Sequence, residues 1–554
     1  MDETWVISAL AMGVLALTVP PAKRRLELSR AKHRSLAGHA RMAKRVAALI
    51  PGYAYDEDEF FSSDGAVAAI IEKRKAGMNR LAAIFENRYS KSVVMTEAAK
   101  PGISDLQFTG AYRVPFQYSP YLATRLRTAS FMRASSGVML EDLDGNQFHD
   151  LTGSYGVNLF GQDFYKACIA EAVKTAGELG PVLGSYHPCV LENVQRLQKI
   201  SGLDEVSFHM SGTEAVMQAV RLARFHTRRS HIVRFCGAYH GWWDDVQPGP
   251  GNPLPARQTY TLRDMDARSL HVLRTRRDIA CVLVNPLQAL HPNSGAPGDG
   301  SMVDSSRKAG FDPASRVAYA HWLQQLRAVC TERGIVLILD EIFVGFRLAL
   351  GGAQAYFNVK ADMVTYGKTL GGGLPVGVLC GRADLMKRFN PQRPADICFA
   401  RGTFNAHPYV MASMKAFLDR LESPKIAHLY AGLDDQWIDR ANRFNLALAD
   451  AGLPVRVAHL SSIWTVLYKR PSRYNWMLQY YLRAHGLALS WVGSGRLVFS
   501  LNYTEDDFEM VIRKFVAAAQ DMLHDGWWWE DLALTNQSIR RGILREFIRQ
   551  RFHV

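Results

Sequence analysis

The stretch ADMVTYGKTLGGGLPVG, residues 361–377, decides how this chain is read. Its apolar run MVTYG delivers one lysine, Lys368, just before three glycines and a proline. That is the pattern of a buried strand ending in a tight loop built mainly from backbone. Upstream, IVLILD (335–340) is a second apolar run that ends on a carboxylate, Asp340. Ser211-Gly212-Thr213 heads a helix-like stretch, 214–225.

These groups answer one chemical need. Pyridoxal phosphate requires a lysine amine to hold its aldehyde as a Schiff base and a carboxylate to keep its ring nitrogen protonated. Lys368 suits the first role. Asp340 suits the second, because an anion facing a pyridinium stabilises the charged form. Ser211, Gly212 and Thr213 offer a phosphate the N–H groups of a helix N-terminus and two hydroxyls. Tyr239, in CGAYHGWWDD (236–245), offers an aromatic face to the ring. Taken singly, each has a plain structural reading: a loop lysine, a capping aspartate, a core tyrosine. Their joint, ordered occurrence points to the cofactor.

Five motifs in order, FHMSGTEAVMQAVRLAR (208–224), GAYHGWWD (237–244), LILDEIFVGFR (337–347), YGKTLGGGLPVG (366–377) and RGTFNAHP (401–408), resemble the class III pyridoxal-phosphate aminotransferases. The branch is the one similar to glutamate-1-semialdehyde aminomutase, which includes aminotransferase modules of polyketide and peptide assembly lines. The resemblance implies a fold-type I α/β enzyme with a large domain around a mostly parallel sheet and a smaller α+β domain. It implies that Lys368 forms the Schiff base and shuttles the proton, Asp340 pairs with the ring nitrogen, and Tyr239 and Ile342 cover the ring's two faces. It further implies that Thr403 reaches the phosphate of a neighbouring subunit's cofactor, so that the active form is a homodimer.

Two departures from the family pattern stand out. Where relatives often have Glu-Pro, CVLVNPLQALHP (281–292) has Asn285-Pro286. The aminomutases carry a glutamate in the segment matching SWVGSGRL (490–497), and here there is none. The second weakens an isomerase reading and favours transfer between molecules. Arg496, in the same segment, is a candidate grip for a substrate carboxylate, with a structural role as the alternative. DLTGSYGVNLFG (150–161) resembles the family's segment that lines the substrate channel, which makes Ser154 and Tyr155 candidate pocket residues; packing of Tyr155 between subunits is the alternative.

Outward from the central stretch, VSFHM, HIVRF, CVLVN, IVLILD, MVTYG and GVLCG alternate with helical or loop segments, which predicts a mostly parallel sheet covered by helices on both faces. VMLEDLDGNQFHD (138–150) predicts a hairpin turning at Asp144-Gly145. The chain divides into an apolar segment, 1–22, a basic helical extension, 23–109, an aminotransferase unit, 110–525, and a tail, 526–554. Within the unit the large domain is expected at about 162–421 and the small one from 110–161 and 422–525.

At 554 residues the chain is long enough for a large core. Its seven cysteines show no metal-ligand or disulfide spacing, which suits a reducing cytosol. The net charge of +14 is uneven: nine Lys and Arg face one Glu between positions 23 and 45. Nucleic acid is one reading of such a patch. The preceding stretch argues for a membrane instead, because TWVISALAMGVLALTVPPA (4–22) carries no charge and approaches the roughly 20 apolar residues of a spanning helix. Pro20-Pro21 is expected to mark its exit, and the basic run to lie on the cytoplasmic side. Packing as a buried or dimer-forming helix is the alternative. Asp64 is expected to cap a helix running to about position 87.

The tail opens on Trp527-Trp528-Trp529. Ile539, Ile543, Leu544, Phe547, Ile548 and Phe552 then share one helical face, opposite Arg540, Arg545, Arg549 and Arg551. This suits a membrane surface or a packed partner.

The function expected is amino transfer from an amino-acid donor to a hydrophobic aldehyde or ketone, either a fatty chain or an acyl group on a carrier protein. It would proceed in two half-reactions at Lys368. The alternatives are an intramolecular 2,1-aminomutase and a membrane-tethered scaffold that has lost catalysis.

Overall fold

The computed structural model describes residues 3–128, 131–247, 249–254, 257–291, 293, 313–490 and 495–552, with backbone alone for 3–11, 14, 15, 37 and 313. At its centre lies a sheet of β1 Glu205–His209, β2 His231–Phe235, β3 Thr259–Leu262, β4 Ile279–Val284, β5 Val336–Asp340, β6 Met363–Gly367 and β7 Gly377–Gly381. The spatial order is β1-β7-β6-β5-β4-β2-β3. Strand β7 is antiparallel to both neighbours, and the other pairs are parallel. The apolar runs all became strands. β3, with sequence TYTL, escaped notice because alternating threonines break up its apolar signal.

Strands buried on both faces must be apolar at both parities. Ile232, Leu283, Ile338 and Leu379 pack with Val216, Ala219, Val220 and Ala223 of helix Gly212–Thr227. Val233, Val282, Leu337, Leu339 and Val378 belong to the main core with Trp322, Leu323 and Leu326 of helix Pro313–Arg333. Parallel pairing of β5 and β6 puts their carboxyl ends on one edge of the sheet. Asp340 closes the first and Lys368 follows the second, so the two side chains converge there.

Among the described residues, two smaller sheets of three or more strands accompany this one, together with the hairpin of Phe389–Asn390 and Arg393–Ile397. Met132–Ser136, Met139–Asp142 and Gln147–Asp150 form a meander, with the expected turn at Gly145 (φ 85°), and Gln147–Asp150 pairs with Leu487–Ala488 far along the chain. Val455–Leu460, Ile463–Tyr468 and Arg496–Val498 form the other sheet, beside helices Leu433–Asp450 and Glu505–His524.

The chain ends differ from expectation in detail. Helix Glu3–Ala31 runs on through Pro20 and Pro21. Adjacent prolines confine their lost hydrogen bonds to a single turn, and good helix formers carry the helix on either side. Among the described residues no helix is long and apolar enough to cross a membrane. The side chains at 4–11, 14 and 15 of the proposed anchor lie outside the described residues, while Met12, Leu17 and Val19 are exposed. Farther on, Lys32 bridges Leu262 and so covers part of the free edge of β3.

Asp64 is not a helix cap. Helix Ala68–Arg88 starts after Val67, and both Asp64 oxygens are taken by the buried Arg74 guanidinium, at 2.7 and 2.8 Å. Trp527 and Trp528 are core residues, and Trp529 donates to Asp64 at 2.7 Å. Helix Asn536–Phe552 packs through Ile539 and Phe547, and its Glu546 accepts from Tyr53 and Arg473. Leu544, Ile548 and Phe552 stay exposed.

Candidate active site

One cavity of 520 Å³ at the carboxyl edge of the sheet is lined by Lys368, Asp340, Tyr239, Ser211, Gly212, Thr213, Ile342 and Arg496. These are eight of the eleven residues that the sequence singled out.

Lys368 has a left-handed backbone, φ 44°, which turns the chain out of β6 and points the side chain back over the strand ends. Its Nζ donates to the Tyr155 carbonyl at 2.5 Å and lies 5.3 Å from the centre of the Phe343 ring. Burial, helped by the positive charge of Arg347 and then of Arg496, brings its pKa down to about 8, against the pull of Asp340. A neutral amine, the nucleophilic form, is therefore within reach near physiological pH.

Asp340 is buried. One carboxylate oxygen lies 2.8 Å from His240 Nδ1, and the other accepts from the Ile342 N–H at 3.2 Å. Burial lowers the pKa of His240, although Asp340 opposes this, and its Nε2 has no hydrogen-bond partner among the described residues. With Nδ1 protonated, the imidazole donates to Asp340 and orients it.

The expected phosphate cradle, at the N-terminus of helix Gly212–Thr227, rests on close backbone packing. Ser211 caps helix Gly212–Thr227 by accepting from the Glu214 N–H at 3.2 Å. A Cβ on Gly377 would sit 1.9 Å from the Ser211 carbonyl, and one on Gly212 would sit 2.8 Å from Ile342 Cγ2. The missing side chains bring β7 and Ile342 against the helix N-terminus. A cradle of N–H groups, a buried carboxylate and a lysine of lowered pKa around one cavity fit pyridoxal phosphate.

Asn285 explains one of the two departures. Its Nδ2 donates to the Tyr239 carbonyl at 3.0 Å, and its Oδ1 accepts from the Leu287 N–H at 3.1 Å. A carboxylate could not donate the first bond. The amide thus fixes the loop that carries Tyr239, whose ring lines the cavity while 60% exposed.

Arg496 lines the cavity and contacts His291 Nε2 at 3.0 Å. Burial lowers its pKa to about 10; burial and then Arg496 push His291 to about 3, so this imidazole is neutral and accepts. No carboxylate pairs with Arg496 among the described residues. Residues 491–494 of its segment, and Pro292, lie outside the described residues.

Three expected residues fall elsewhere. Neither the Ser154 nor the Tyr155 side chain lines the cavity, because both residues have left-handed backbones (φ 46° and 57°) that turn the Tyr155 carbonyl inward instead. Thr403 is exposed and away from its own chain's cavity. Sequence reasoning missed His240, Gln288, His291 and Phe343. Of these, His240 stood beside the chosen tyrosine, and Gln288 is buried in the cavity wall with an Oε1 that has no hydrogen-bond partner among the described residues.

The class-III aminotransferase family model matches residues 122–244 and 312–518. The chain is 32% identical to a glutamate-1-semialdehyde 2,1-aminomutase of Geotalea daltonii over 372 residues, 63% of this chain and 79% of that protein. It is 34% identical to the enzyme of that name from Alkaliphilus oremlandii over 314 residues, 53% and 68% of the two chains. An omega-transaminase from Sphaerobacter thermophilus superposes with a TM-score of 0.58 at 25% identity, covering 71% of this chain and 91% of that one. A glutamate-1-semialdehyde aminomutase from Pseudomonas aeruginosa shares the fold, with a TM-score of 0.64 at 17% identity over 82% and 99% of the chains. With its cavity built for pyridoxal phosphate, the chain belongs to the class-III aminotransferases.

Proposed function

We propose that this enzyme moves an amino group from an amino-acid donor to a hydrophobic aldehyde or ketone, a fatty chain or an acyl chain on a carrier protein. The observation that carries this reading is the wall facing Lys368. Val157, Leu287, Phe343 and Leu374 are apolar, and Asp340 is the one carboxylate among the described lining residues. Such a wall favours an apolar acceptor by about 0.8 kcal/mol per buried methylene.

Pyridoxal phosphate supplies, when bound, an aldehyde carbon to carry the amino group between substrates and an electron-withdrawing ring to stabilise the charge that develops. Asp340, oriented by His240, would hold a proton on the ring nitrogen. The N-terminus of helix Gly212–Thr227 would take the phosphate. Lys368, freed at Nζ, would carry the substrate proton, and the Tyr155 carbonyl would aim the amine. Arg496, steadied by His291, would grip the donor's carboxylate.

The same reading has the active form as a homodimer, with Thr403 of each subunit serving the other's site. It places the enzyme at the cytoplasmic side of a membrane, where exposed Leu17 and Val19 and the exposed face of helix Asn536–Phe552 would meet lipid. The test is kcat/KM against acceptor chain length, which should rise roughly threefold to fourfold per methylene. A flat or falling series contradicts it.

The curated relatives favour a second reading, an intramolecular aminomutase. The absence of a glutamate from 490–497 weighs against it.

A further inference from the structure

A second cavity, of 450 Å³, lies away from the active site, where the N-terminal extension crosses the free edge of β3. Its lining brings together Arg25, Lys32, His39, Arg41, Arg45 and Arg257, over a floor of Thr259, Tyr260 and Thr261. No carboxylate lines it among the described residues. The nearby acids are engaged elsewhere: Glu27 faces His271 at 3.5 Å, and Asp278 is held by Arg276 and Tyr260. Lys32 is half-buried, and burial, then Arg41, then Arg25, lower its pKa. Cations crowded round a concavity without counter-charge leave a site that an anion would stabilise.

The surroundings say which anion. Arg25 belongs to the same helix as Leu17 and Val19, which are 76% and 51% exposed. Arg25 lies six helical positions beyond Val19, about 9 Å along the axis. An exposed apolar stretch of helix, 16–22, that leads directly into a cationic cavity matches a lipid, with chains beside the first and phosphate in the second. We propose that this cavity binds the phosphate of an anionic lipid headgroup and so seats the enzyme on a membrane surface.

The test is sedimentation of the full-length holoenzyme with phosphatidylcholine vesicles containing or lacking phosphatidic acid, and with inorganic pyrophosphate as a soluble competitor. Arg41 and Arg45 are surface residues, so Arg41→Glu/Arg45→Glu should leave the fold intact. Lys174→Glu/Lys199→Glu makes the same charge change at exposed positions of helices Gln162–Ala176 and Cys189–Ser201, which neither line the cavity nor belong to the terminal helices. Wild type should prefer phosphatidic acid vesicles by about tenfold or more, the cavity variant should lose that preference, and the control should keep it. Equal loss in both variants would mean that net charge, rather than the cavity, binds the vesicle, and would overturn the proposal. So would an unaltered cavity variant, or a wild type that binds pyrophosphate but does not discriminate between the vesicles.

Discussion

Asp340 and His240 face each other across 2.8 Å, the aspartate from the end of β5 and the histidine from the loop after β2. Both are almost wholly buried, so the pair forms a fixed unit beneath the cofactor cavity. Asp340→Asn should keep the cofactor, which the proposed phosphate cradle would hold, but lower kcat by about 100-fold to 1000-fold. His240→Phe removes only the orienting donor, and the loss should be on the order of tenfold to a hundredfold. Steady-state kinetics with cofactor content measured by absorbance checks both. Equal losses would mean that His240 does more than orient its partner.

Lys368 sets a pH dependence whose sign is fixed by its lowered pKa. Only the neutral amine captures an aldehyde, and the folded protein releases the proton at about 8 rather than at the ordinary lysine value of 10.5. Capture of pyridoxal phosphate by the apoenzyme should therefore rise with pH around a midpoint near 8. Arg496→Gln removes one of the charges that depress it, so its midpoint should lie higher. Stopped-flow absorbance reads both midpoints, and a wild-type midpoint near 10.5 would contradict the account.

Gly377→Ala places a methyl 1.9 Å from the Ser211 carbonyl, and backbone has to move. The expected cost is about 1–3 kcal/mol of stability, together with weaker cofactor retention through the displaced cradle. Thermal melts with and without cofactor separate the two effects. An unchanged cofactor affinity would show that β7 does not support the phosphate site.

Asp64→Ala would leave the Arg74 guanidinium buried without its carboxylate. A loss of about 3–5 kcal/mol is expected, read from denaturant midpoints, although the site lies outside the active-site cavity. A loss below about 1 kcal/mol would mean that water reaches Arg74.

These cases show which features a sequence carries and which it hides. Lys368 and Asp340 were legible because each ends an apolar run, so position along the strand fixes position in the site. The Ser211-Gly212-Thr213 cradle was legible for the same local reason. For Ser154 and Tyr155, what the structure brings to Lys368 is the Tyr155 carbonyl, turned inward by positive φ, which side-chain identity does not report. Asp64 was misread because its partner, Arg74, is ten residues on and its burial depends on Trp527 and Trp529 from the far end of the chain. His291 and Arg496 meet only through the fold, across 205 positions.

The most direct test of the central claim is the visible spectrum of the purified holoenzyme as single amino acids, then aldehydes or ketones of increasing chain length, are added. The account predicts that one amino acid bleaches the band of the bound cofactor and a long-chain carbonyl compound restores it, and that Lys368→Ala does neither. A holoenzyme whose band ignores every free amino acid, but which isomerises a single amino-carbonyl compound without a donor, would contradict it.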